Sequence, residues 1–219
     1  MDIAWIGTTR TESLSDEYAV IRHALADASK NYNWTRVLEL IATDKELANT
    51  SRPSGTSLFA ALHQAANGGA PLTVVRQLID LGAWRTLQNA RGERPIDVAV
   101  RNRQSHLFDA LEPVFKHLVP PGVLLKIQSY FHQVIRGRVE NLVQEHALRL
   151  PDLEPLLELD EPQMWFEVPG MYGGFNYWLD STGVSATLVT ESWCRMEGGS
   201  GQRHVITTEG IVLDEEGFV

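Results

Sequence analysis

The most constraining segment runs from Gly82 to Ala99. Val74, Val75, Leu78 and Ile79 sit at helical spacing and are closed by Gly82-Ala83. Ten residues later Gly92 opens a turn, and Pro95-Ile96-Asp97-Val98-Ala99 restarts a helical pattern. Glycine just past a helix end adopts the left-handed conformation without a Cβ penalty. Proline at a first helical position loses only an N–H that would be unpaired there. The chain chemistry therefore pins a helix stop, a connection and a helix start.

The same grammar recurs. Upstream, Gly55-Thr56-Ser57 precedes an Ala-rich run from Leu58 to Ala66, and Asn67-Gly68-Gly69-Ala70-Pro71 is a breaker cluster. Downstream, Leu107, Phe108 and Leu111 supply another apolar turn. A further pair is read at Tyr18–Ala28 and Trp34–Ala42. Gly82-Ala83, Gly92 and Arg94-Pro95-Ile96-Asp97 resemble the junction of ankyrin repeats, whose pattern runs Gly-Ala, eight residues, Gly-x-Thr-Pro-Leu-His-x-Ala over about 33 residues. Here Gly55 to Gly92 spans 37 residues, so an insertion is placed at 67–71. Asn49, six residues before Gly55, matches the family's hairpin Asn.

The resemblance implies an ankyrin-repeat domain of about three repeats over residues 1–119, acting as a protein-binding surface and not as a catalyst. Its hairpin tips would carry the contact residues: Arg52 in one tip, Trp84, Arg85, Leu87, Arg91 and Arg94 in the next. An aromatic beside arginines is a common interface composition. Two other readings stand beside it. Trp84 packs on a neighbouring repeat, or the basic edge docks the acidic half of the chain.

Charge divides the sequence. Residues 1–119 hold 13 acidic and 13 basic side chains, whereas 120–219 hold 15 acidic and 6 basic, so the net charge of −9 belongs to the second half. Pro120-Pro121-Gly122 marks the expected boundary of a 120–219 domain. Such a balance argues against nucleic-acid or anionic-membrane partners.

From Val123 to His146 apolar residues recur every three or four positions, which predicts an amphipathic helix that Gly137 bends. A short helix is expected to open at Pro151-Asp152-Leu153. The period then changes to two. Strands are predicted at Gln163–Val168, Gly174–Asp180, Val184–Met196, Gln202–Thr208 and Ile211–Leu213, separated by Gly-rich turns including Gly198-Gly199-Ser200-Gly201. The fold expected is α+β: a helical repeat stack followed by a helix-packed antiparallel β-meander.

Alternation puts Met164, Phe166, Val168, Phe175, Tyr177, Leu179 and Leu188 on the face under the helix. The opposite face receives Trp165, Glu167, Trp178, Asp180, Glu191, Trp193 and Arg195. This tryptophan-rich face is either packed under other protein or a ligand pocket with a few charged groups. A helical layer over a curved meander is similar to the NTF2/SnoaL-like α+β cone, which implies a cyclase, isomerase or plain ligand binder as the alternative function. Met171-Tyr172-Gly173-Gly174-Phe175 and Ser192-Trp193-Cys194-Arg195 resemble a tail module that follows ankyrin repeats in bacterial proteins.

Chemical motifs are sparse. Seven histidines are scattered and the single cysteine, Cys194, excludes a cysteine-based zinc site. Neither a metal nor a cofactor is called for. Glu191 and His204, on adjacent strands, are the weak candidates for a general acid/base pair. With no membrane-length apolar run, no signal-like start and one cysteine, a cytoplasmic location is expected. The first functional expectation is a protein-interaction module of regulator, adaptor or immunity type.

Overall fold

The structure, a computed structural model, describes residues 3–194 and 200–217. It is α+β, helical first and then a five-stranded antiparallel sheet. The chain forms two compact units: Thr9–Val114, and Met1–Thr8 together with Phe115–Val219.

The helical unit contains α1 (Asp16–Lys30), α2 (Trp34–Thr43), α3 (Ala61–Gly68), α4 (Leu72–Asp80), α5 (Pro95–Arg101) and α6 (Phe108–Leu111). The starts are set by local chemistry. Ser15 and Asn33 side chains accept the Tyr18 and Arg36 amides at α1 and α2. Pro95 opens α5, and Asp97 Oδ2 accepts the Arg94 amide at 2.8 Å. Helices α1, α3 and α5 touch in order, as do α2, α4 and α6, and each of the first set packs on the helix after it. Val37, Ile41, Leu62, Ala65, Val75, Leu78, Val98 and Leu107 fill the space between the layers, each 0–1% exposed.

Equivalent positions of successive helix pairs are bonded to one another. Asn49 donates to the Gly82 carbonyl at 2.8 Å and accepts the Trp84 amide at 2.9 Å. Asn102 donates to Asn67 Oδ1 at 2.9 Å, the Ala90 amide to Ser57 O at 3.0 Å, and His106 to Ala70 O at 3.2 Å. The expected helix at 58–66 begins three residues late, because Leu58 takes a left-handed φ of 53°. Ala60 is then extended, and its amide is accepted by His63 Nδ1. The breaker cluster forms a tight turn. Gly69 is left-handed, and a Cβ on Gly68 would lie 2.4 Å from the Tyr32 ring.

In the second unit the long helix α7 (Pro121–Glu145) covers a meander of β1 (Gln163–Val168), β2 (Gly173–Ser181), β3 (Thr187–Cys194), β4 (Ser200–Ile206) and β5 (Ile211–Glu216), in the order β1-β2-β3-β4-β5. The helix departs from ideal geometry at Val139, two residues after Gly137. Its Phe131 packs on Tyr177 and Phe175, with ring centroids 4.8 and 6.4 Å apart. A single turn at Gly183–Ser185 replaces the first residues of the long third strand, leaving Val184 76% exposed. Arg195 and Met196, with the turn expected at 198–201, lie wholly or partly outside the described residues.

The units divide at Thr8/Thr9 and Val114/Phe115, not at 119/120. Two tethers explain this. The Lys116 and His117 amides bond Leu157 O at 2.7 and 3.3 Å, and His117 Nε2 reaches Leu159 O at 3.0 Å. The first residues run along β1: the Trp165 amide bonds Ile3 O at 2.9 Å and the Trp5 amide bonds Trp165 O at 2.8 Å. Trp5 is 3% exposed, with its indole N–H on Arg149 O at 2.9 Å.

A pH response follows from α7. His132 Nε2 donates to Pro151 O at 2.8 Å, and burial pushes the imidazole below its ordinary value despite that bond and nearby Asp152. An unfolded histidine protonates near pH 6.5. The folded state resists that proton, so stability is lost as pH falls through about 6.5. Urea midpoints at pH 7.5 and 5.5 should therefore diverge less for His132→Gln than for the wild type. An equal acid loss in both proteins would remove His132 as the cause.

Candidate functional site

Backbone chemistry also shapes the connection between α4 and α5. Asn89, 5% exposed, accepts the Arg91 and Glu93 amides on Oδ1 at 2.7 and 3.1 Å and donates to Glu93 Oε2 at 2.8 Å. Its own amide bonds Glu93 O at 2.9 Å. Glu93 also takes Arg101 Nε at 2.8 Å. The Asn89 hydrogen bond, aided by Arg101 and opposed by desolvation, holds the Glu93 carboxyl below the usual range. The backbone of the loop tip is thus held by hydrogen bonds, with Arg91 exposed, Arg94 half-buried, and Arg103 exposed just past the end of α5.

The other expected contact residues are used inside the unit. Trp84 is 6% exposed and Leu87 2%, so neither can anchor a partner. Ala83, Trp84, Thr86 and Leu87 turn inward because the backbone after Gly82 is stitched to Asn49. Arg85 Nε is bound to Ala110 O at 2.9 Å beside a depression of about 350 Å³. Arg52 forms an ion pair with Asp27 and a 3.2 Å contact with His23 Nδ1.

Strand register decides the remaining candidates. Trp165 is paired with Asn176 and Asn176 with Glu191, while Trp178 meets Val189 and Gly174 meets Trp193. Trp165, Trp178 and Trp193 consequently share a face. Trp165 stacks on Trp193 with centroids 4.9 Å apart, passing over β2 at Gly174, where a Cβ would lie 2.8 Å from the Trp165 ring. Arg203 lies over Trp178 at 5.7 Å and within 3.5 Å of both Glu191 and Asp214. This face is open: the three indoles are half-buried, and Glu167 and Asp180 are exposed. Trp165 and Trp193 stack on each other, and Arg203 covers Trp178, so the indoles are occupied by contacts within the sheet face. Arg195 lies outside the described residues.

Glu191 and His204 are not a pair. Glu191 is opposite Arg203, and His204 is opposite Thr190, one residue away. A step of one residue turns the side chain to the other face. Glu191 belongs to the tryptophan face, whereas His204 points under α7.

There His204 lines a groove of about 580 Å³ between α7 and β4, with Gln133, Val134, Gly137, Arg138, Gln202 and Ile211. Arg138 Nη2 donates to Ser200 O and Oγ at 2.6 and 2.9 Å. Burial, then the Arg138 charge, pushes the His204 imidazole below its ordinary value, with Glu216 opposing. Sequence reasoning missed this groove. A small residue, Gly137, beside Arg138 on an otherwise amphipathic helix was its only signal.

Among the described residues, no helix is long and apolar enough to cross a membrane, and no group of three or more His, Cys, Asp or Glu is placed to hold a metal. No family model matches the chain, and no curated protein matches it. Among solved structures, one similar chain comes from "Bd0816 Predatory Endopeptidase from Bdellovibrio bacteriovorus in complex with immunity protein Bd3460", at 21% identity and a TM-score of 0.35. The match covers 55% of this chain and 66% of that one, just under two thirds of its length. A likeness at this level says nothing about what the present protein binds.

Proposed function

We propose that this is a protein-binding protein whose helical unit is an ankyrin-type stack recognising an acidic partner surface through the α4–α5 tip. The observation that supports it is the preorganised tip. Asn89 and Glu93 fix the backbone, and Arg91 projects into solvent from it. A loop backbone that is already ordered loses less entropy on binding. Stacked helix pairs bonded at separations of 33 to 36 residues agree with the repeat reading. Arg94 and Arg103 extend the cationic edge on either side of α5. Trp84, Leu87 and Arg85 act as internal supports of that edge.

Binding is favoured over catalysis because the one acid/base pair the sequence offered is split across the sheet. The test is affinity capture of partners by the wild-type protein and by an Arg91→Glu/Arg103→Glu variant. The wild type should retain a partner with an acidic surface, and the variant should bind it at least about tenfold more weakly, with an unchanged melting temperature. Binding should also weaken with added salt, because these charges are exposed. Equal affinity in the two proteins would remove the tip from the site.

A further inference from the structure

We propose that the groove between α7 and β4 binds a small organic carboxylate, held through its oxygens by Arg138 and His204 while Val134 and Ile211 cover a short apolar part. This site is separate from the protein-binding edge and stands without it.

Arginine is an obligate donor with five N–H groups and no acceptor. In Arg138, Nη2 is committed to Ser200 O and Oγ, which orients the guanidinium. Its Nε is buried and finds no acceptor among the described residues, and the same holds for a partner to His204 Nδ1. Both residues line the same groove. Buried polar atoms are rarely left unsatisfied, and a carboxylate, with about four lone-pair sites on two oxygens, can accept from Arg138 Nε and from His204 when its ring carries the proton on Nδ1. Charge-assisted bonds of this kind are roughly twice as strong as neutral ones.

The surroundings favour an anion over a cation. Arg138 brings the positive charge into the buried part of the groove. Glu216 on β5 is the nearby carboxylate, and its Oε1 already accepts Gln202 Nε2 at 2.7 Å. Size agrees as well, since about 580 Å³ lies within the usual range for small-ligand sites. Gly137 forms part of the wall. A Cβ built there meets nothing within 4 Å, so a larger side chain can be added to this wall without a clash at its Cβ.

The experiment is an amide-resolved NMR titration of the full chain with butyrate, and with butanamide as the uncharged isostere. Butyrate should shift Gly137, Arg138, Gln202 and His204 saturably, and butanamide should bind at least about tenfold more weakly. Arg138→Met should reduce butyrate affinity at least about tenfold. Gly137→Leu should do the same with Arg138 intact, because it fills the groove while replacing glycine by a better helix former. That second variant decides the matter if loss of the Ser200 bonds unfolds the first. No butyrate shift at these residues, equal binding of butanamide, or unaltered affinity in Gly137→Leu would each overturn the proposal.

Discussion

Replacing Trp5 by alanine is expected to destabilise the β-sheet unit by about 3–5 kcal/mol, the usual cost of truncating a buried tryptophan. Trp5 lies in a short N-terminal arm, and it is 3% exposed. Its indole donates to Arg149 O at 2.9 Å, and the Arg149 guanidinium stacks over the ring at 4.9 Å. The neighbouring backbone extends the ladder at β1 through the Ala4–Trp165 bridge. A cavity and two broken contacts should therefore appear together. Hydrogen exchange at the β1 and β2 amides of the full chain reads the effect locally, while exchange in α3 and α4 serves as the control. A change below about 1 kcal/mol would mean that the arm is decoration.

Trp84→Ala is expected to cost a similar amount, about 3–5 kcal/mol, but in the helical unit. The residue is 6% exposed beside Ala83 at 4% and Leu87 at 2%. Its amide is fixed by Asn49 Oδ1. Arg91→Ala, on the exposed tip, should stay within about 0.5 kcal/mol. Denaturant unfolding followed by helical circular dichroism separates the two variants. If Trp84→Ala melts like the wild type, the indole contributes no packing, and its role as a support of the tip fails.

The two tryptophans show where sequence reading stops. Trp84 sits in a loop followed by Arg85, Arg91 and Arg94, a composition shared by exposed anchors and by tips that pack inward. What turns it inward is a pair of bonds from Asn49, 35 residues away, and no local pattern carries that information. Trp5 precedes the first helix within the short apolar run Ile3-Ala4-Trp5-Ile6. Its strand-like pairing depends on β1, about 160 residues downstream. Contacts of such range are set by assembly of the whole unit, not by propensity.

Within an element, the residues themselves were enough. Proline at the start of α5, glycine at the end of α4, and the alternation of Met164, Phe166 and Val168 against Trp165 and Glu167 are dictated by backbone geometry at each position. That alternation also places Trp165, Trp178 and Trp193 on one side once the hairpins close, because side-chain direction along a strand has period two. Register between strands was decided only in three dimensions. It put His204 opposite Thr190 and Glu191 opposite Arg203, separating two groups that adjacency on neighbouring strands had brought together. It also carried His204 to Arg138, 66 residues earlier in the chain, under a helix whose sequence shows only its apolar stripe. Local patterns determine which way each side chain points; which side chains meet is determined by the packing of one element on another.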